Sequence, residues 1–78
     1  MITEKQIKQF AGKHHLDYIG PTGDGVQNFV GGRFFSDEDI LIDLDDEVPV
    51  GLIELYMAEA TNGIVRGFRE WLSEHKYM

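Results

Sequence analysis

The stretch from Ser36 to Gly51, SDEDILIDLDDEVPVG, constrains this chain more than any other. Seven of its first twelve residues are carboxylates, and Ile40, Leu41, Ile42 and Leu44 sit among them. The segment must bury an apolar stripe while keeping dense negative charge in water. Only a short amphipathic element with one solvated face can do both. Two elements meet that condition. As a helix, Ser36 is the N-cap, Asp39 completes a capping box, and Ile40, Leu41 and Leu44 share the buried face. As a strand over residues 39–44, Ile40, Ile42 and Leu44 point one way and Leu41 and Asp43 the other. The start signal favours a helix ending near Asp45. The end opposes it, because Asp43, Asp45, Asp46 and Glu47 crowd the negative end of the dipole.

The rest of the chain supplies the partners for that stripe. Residues 3–14 predict a helix with Thr3 as N-cap, Gln6 closing a capping box, and Ile2 and Ile7 at the spacing of a hydrophobic staple. Its buried stripe is Ile7, Phe10, Ala11 and His14. Residues 20–25, GPTGDG, read as a turn-rich loop, since neither a phosphate loop nor a dinucleotide fingerprint fits the glycine spacing. Gly31-Gly32 between Val26–Val30 and Arg33–Phe35 predicts a short β-hairpin, or else an aromatic loop that tucks Phe29, Phe34 and Phe35 against the helices. Pro49 opens a helix that runs to about Thr61 and stops at Asn62-Gly63. That helix is apolar nearly all round, the pattern of a central core helix; the alternative is a partner-facing stripe at Leu52, Leu55 and Glu59. A last helix spans about Ile64 to Lys76. Its stripe is Ile64, Val65, Phe68, Trp71, Leu72 and His75, with an Arg66–Glu70 pair on its surface and Trp71 as a core anchor.

The fold class expected is therefore α+β and mainly helical. It comprises one compact domain over residues 1–78, with three to four short helices and a hairpin between the first and second. A chain of 78 residues without cysteine must build its core from packing alone, and homodimerisation is a further source of burial. No apolar run approaches a membrane span, and the N-terminus lacks the apolar region of a secretory signal, so a cytoplasmic protein is expected.

Charge limits the function classes. The net charge is −7, and residues 36–59 carry nine acids and no base. Phosphate backbones repel such a surface, which argues against direct nucleic-acid binding and against the weak helix-turn-helix outline of the centre. Metal sites fit poorly. His14 and His15 diverge by about 100° on a helix. From Asp43, the residues Asp45, Glu47 and Glu54 match calcium-loop spacing, but Val48 stands where that loop requires glycine. No cofactor is expected. An enzyme is not expected either, because no activated nucleophile or buried carboxylate pair stands out. The expectation is a small acidic protein-interaction module with a protein partner. Its candidate partner-binding residues are Asp37, Glu38, Asp43, Asp45, Asp46 and Glu47. The alternative is an acidic decoy of phage or mobile-element type, whose carboxylates imitate phosphate charge in a basic protein groove.

Overall fold

The computed structural model describes residues 2–61 and 67–75. Among the described residues the architecture is α+β, with four helices and a three-stranded antiparallel sheet in the order β1-β2-β3. The chain divides into two compact units, Met1–Val48 and Pro49–Met78.

The first unit runs α1 (Glu4–Lys13), β1 (Tyr18–Gly23), β2 (Val26–Phe29), β3 (Arg33–Ser36) and α2 (Asp37–Asp45). Helix α1 begins as its sequence dictates. The Thr3 side chain accepts from the Gln6 N–H at 3.2 Å, and the Thr3 N–H donates to Gln6 Oε1 at 2.9 Å. All four stripe residues, Ile7, Phe10, Ala11 and His14, are buried. Helix α2 starts with the same reciprocal device between Ser36 and Asp39, at 3.0 and 3.2 Å. This settles residues 37–45 as helix and not strand.

Both helices end alike. The N–H of Leu16 bonds to the Ala11 carbonyl at 2.8 Å, and that of Val48 to the Asp43 carbonyl at 3.1 Å. Each bond closes a Schellman turn, with the buried Leu16 or Val48 as its hydrophobic seal. The residue in the left-handed position is His15 (φ 55°) in one and Glu47 (φ 52°) in the other, where glycine is usual. An L-residue there costs roughly 1–2 kcal/mol, and glycine returns part of that gain through its looser unfolded chain. His15→Gly is therefore expected to raise stability by about 0.5–1 kcal/mol, read as a higher urea midpoint at unchanged slope.

The segment expected as a loop over residues 20–25 is mostly strand β1. The strand signal was hidden because β1 is an edge strand with glycines at both bulges and Pro21 between them. Edge strands tolerate a residue that cannot donate to the ladder. Gly23 pairs with Val26, so Asp24-Gly25 is a two-residue hairpin turn, with Gly25 at φ 70°. The Gly31-Gly32 hairpin forms as expected. Phe29 pairs with Arg33, leaving Val30, Gly31 and Gly32 as its loop. Alternation sends Gln27, Phe29 and Phe35 inward, while Phe34 stays 53% exposed and so is not part of a tucked aromatic loop. Phe10 packs on the inner face of the sheet, its ring centroid 5.7 Å from Phe29 and 5.0 Å from Phe35. Helix α2 buries Ile40, Ile42 and Asp43; Leu41 and Leu44 are only half-buried. The expected face of Ile40, Leu41 and Leu44 is thus rotated, for a reason that lies at Asp43.

The second unit contains α3 (Val50–Thr61) and α4 (Phe68–Glu74). Tyr56 sets its ring edge-on to Phe68 and Trp71, at 5.0 and 5.4 Å. Phe68, Trp71 and Leu72 are buried, which makes Trp71 the anchor its position suggested. Helix α4 starts later than expected, because Gly67 is its N-cap in an extended conformation. Ile64, Val65 and the Arg66–Glu70 pair, like the Asn62-Gly63 stop, lie outside the described residues. Helix α3 departs from a central core helix: among its described side chains only Ile53 is buried, and Leu55 is 46% exposed.

Candidate functional site

The acidic stretch separates into three environments. Asp37 and Asp39 serve the start of α2. Asp37 accepts from Gln27 Nε2 at 2.7 Å, Gln27 Oε1 accepts from the Tyr18 hydroxyl at 2.6 Å, and the Asp37 N–H donates to the Gly25 carbonyl at 2.8 Å. The first turn of α2 is thereby tied to both hairpin strands and their turn. Glu38, beside it, is exposed.

Asp39 is held above the ordinary carboxylate value of 3.8, chiefly because burial disfavours its charge. The hydrogen bonds from Ser36 pull it down, and the neighbouring charge of Glu38 pushes it up. A carboxyl with a raised pKa binds its proton more tightly in the folded chain than in the unfolded one. Its ionisation is therefore a cost to folding that is absent below the unfolded value and grows as pH rises through the carboxylate range. The stability of the natural chain minus that of Asp39→Asn should accordingly be largest near about pH 3 and smaller near about pH 7. Urea titrations of the two proteins at both pH values measure that difference directly, and a difference that grew towards pH 7 would reverse the assigned shift.

Asp43 has left the surface. Its side chain is 0% exposed, and two donor groups converge on it. Lys13 Nζ reaches both carboxylate oxygens at 3.2 Å, and His14 Nε2 reaches Oδ2 at 2.9 Å. Because an ionised carboxylate only accepts, Nε2 carries a hydrogen. Lys13 also donates to the Asp43 backbone carbonyl at 3.4 Å. The last turn of α2 contains no basic residue, so the cation that its dipole lacks comes from α1. This contact rotates α2. Turning Asp43 towards Lys13 and His14 brings Ile42 inward and leaves Leu41 and Leu44 half-exposed. His14 packs edge-on against Phe10 at 4.8 Å, and its Nδ1 is buried with no hydrogen-bond partner among the described residues. Both the His14 and the Asp43 side chains are 0% exposed, so the pair presents no atom to solvent.

Asp45, Asp46 and Glu47 form the third environment. They are exposed at the C-terminal end of α2, where Asp46 is the C-cap and Glu47 holds the left-handed position. Of the six expected binding residues, these three and Glu38 lie on the surface, Asp37 is half-buried, and Asp43 is inside. The residues from Asp43 to Glu54 run from the last turn of α2 into α3. Among the described residues, no group of three or more His, Asp or Glu side chains is placed to hold a metal ion. None of the described helices is long and apolar enough to cross a membrane.

In the second unit, Trp71 Nε1 donates to Glu59 Oε2 at 2.5 Å, and the His75 ring stacks on the indole at 3.9 Å. His75 Nε2 stands 3.7 Å from the same Glu59 oxygen. Sequence periodicity found Trp71 and His75 on one stripe, but not that Glu59 serves both.

Compared with known families, curated proteins and solved structures, the chain matches none.

Proposed function

We propose that this protein is a small, non-catalytic acidic interaction module that binds a protein partner through the end of α2. The observation that supports this reading is that Asp45, Asp46 and Glu47 stand where local physics disfavours them. Each negative charge at a helix C-terminus costs about 0.3–1 kcal/mol, and Glu47 carries the left-handed backbone cost as well. Residues held against local preference on an exposed surface are where function, and not folding, sets the sequence. The buried Asp43 supports the same reading from the other side, since it fixes the helix end that presents the three acids. Charge at such a rim acts mainly on specificity and association rate.

The test compares the natural chain with the variant Asp45→Asn, Asp46→Asn, Glu47→Gly. Relief of the dipole and of the strained backbone is expected to make the variant more stable by about 1–2 kcal/mol. The variant should also lose the protein partner that the natural chain captures at low salt, and capture by the natural chain should weaken steeply as salt rises. A variant that retains the same partner with the same salt response would sink the proposal. If the captured partner handles nucleic acid and free duplex DNA displaces the natural chain from it, the module is of the decoy kind.

A further inference from the structure

The outer face of the sheet is apolar and exposed. Strand alternation places Ile19, Val26, Asn28, Val30 and Phe34 opposite the buried Phe29 and Phe35. At the first bulge of β1, Ile19 precedes Gly20, which pairs with Asn28, and Asn28 pairs in turn with Phe34. One row therefore crosses all three strands. Ile19 is 62% exposed, and Val30 and Phe34 are each 53% exposed. Scattered exposed apolar residues are ordinary, but a contiguous patch marks a surface that another molecule covers. At its centre, Asn28 Oδ1 is buried without a hydrogen-bond partner among the described residues. Neither strand propensity nor hydrogen bonding accounts for asparagine at that position.

Charge identifies the occupant. Arg33 is the one basic residue in the sheet, and its pairing with Phe29 assigns it to the other face. Two exposed acids stand at the two ends of β1, along the edge of this face. Asp17 precedes β1, its backbone carbonyl accepting from the Val30 N–H at 2.9 Å, and Asp24 lies in the turn after β1. The strand between them sets them roughly 20 Å apart, at about 3.3 Å per residue. We propose that this face docks a basic amphipathic segment of a partner protein, with apolar side chains on Ile19, Val30 and Phe34 and a Lys or Arg near each of Asp17 and Asp24. A second copy of this chain does not fit, because a two-fold contact would bring the same two acids and no cation to the face. The inference rests on the interaction-module reading but uses a different surface from the end of α2, so the two can fail separately.

The probes are two synthetic helical peptides of about 15 residues with a Leu/Val stripe, one with Lys at positions about 20 Å apart and one with Glu there. Binding to the full chain is followed by amide shifts in NMR and by calorimetry. The Lys peptide should shift the amides of Ile19, Asn28 and Phe34 saturably and bind at least about tenfold tighter than the Glu peptide. The double variants Ile19→Ser/Phe34→Ser and Asp17→Asn/Asp24→Asn, all at exposed positions, should each weaken it by about tenfold. The variant with a neutralised α2 end should bind it unchanged. The proposal is overturned if the Lys peptide fails to bind, or binds both double variants as tightly as the natural chain. It is also overturned if the peptide shifts only Asp45 to Glu47, which would leave the α2 reading standing alone. Sedimentation that shows a dimer lost on Ile19→Ser/Phe34→Ser would overturn it in favour of self-association.

Discussion

Asp43→Ala is expected to cost about 3–5 kcal/mol, because removing one member of a buried, hydrogen-bonded ion cluster strands the others. The folded chain holds the Asp43 and His14 side chains at 0% exposure, so neither can rehydrate without opening α1 from α2, while Lys13 keeps 26% exposure. A chain of this size has only about 4–12 kcal/mol of total stability, so the variant should lie near the edge of folding at 25 °C. Asp43→Asn should cost less, since its amide oxygen can still accept from one of the two donors. Urea unfolding followed by circular dichroism measures both. A double-mutant cycle with Lys13→Met then isolates the pair, with an expected coupling of about 1–3 kcal/mol. An Asp43→Ala midpoint indistinguishable from that of the natural chain would show that the cluster contributes nothing net.

Phe10→Ala should be of similar size, about 3–5 kcal/mol, for an unrelated reason. Phe10 is 0% exposed and touches Phe29, Phe35 and His14, so truncation opens a cavity between α1 and the sheet. Phe34→Ala makes the control, because the same change at an exposed position should fall within about 0.5 kcal/mol. The contrast checks the orientation of the sheet. If Phe34→Ala were the more damaging of the two, the inner and outer faces assigned from the register would be exchanged.

What was legible in the sequence was what neighbouring residues decide among themselves. Thr3 with Gln6, and Ser36 with Asp39, announce helix starts within four residues, and both capping boxes form. Gly31-Gly32 announces a hairpin in the same way. Strand β1 was illegible because its bulges and Pro21 break the alternation by which strands are recognised, although Asp24-Gly25 was a turn signal that could have revealed it. The facing of α2 was illegible for a deeper reason. Its local pattern favours Ile40, Leu41 and Leu44, and what overrides that pattern is a cation and an imidazole some thirty residues upstream. The candidate site shared this limit. Composition located the acidic stretch, but only packing could sort the inward Asp43 from the outward Asp45, Asp46 and Glu47.

The meander order of the strands has a consequence for how the first unit assembles. Each strand pairs with its neighbour in sequence across a loop of two or three residues, so the sheet forms by short closures. Joining Lys13 to Asp43 spans 30 residues, and closing the longer loop costs roughly 2 kcal/mol more in chain entropy. The hairpins should therefore lead, and the two helices should meet after the rate-limiting step. In stopped-flow experiments, substitutions at Asp43 should act mainly by speeding unfolding, whereas substitutions in the Asp24-Gly25 turn should slow folding. The buried carboxylate would then act as a latch that sets how long the folded unit lasts, more than how quickly it forms.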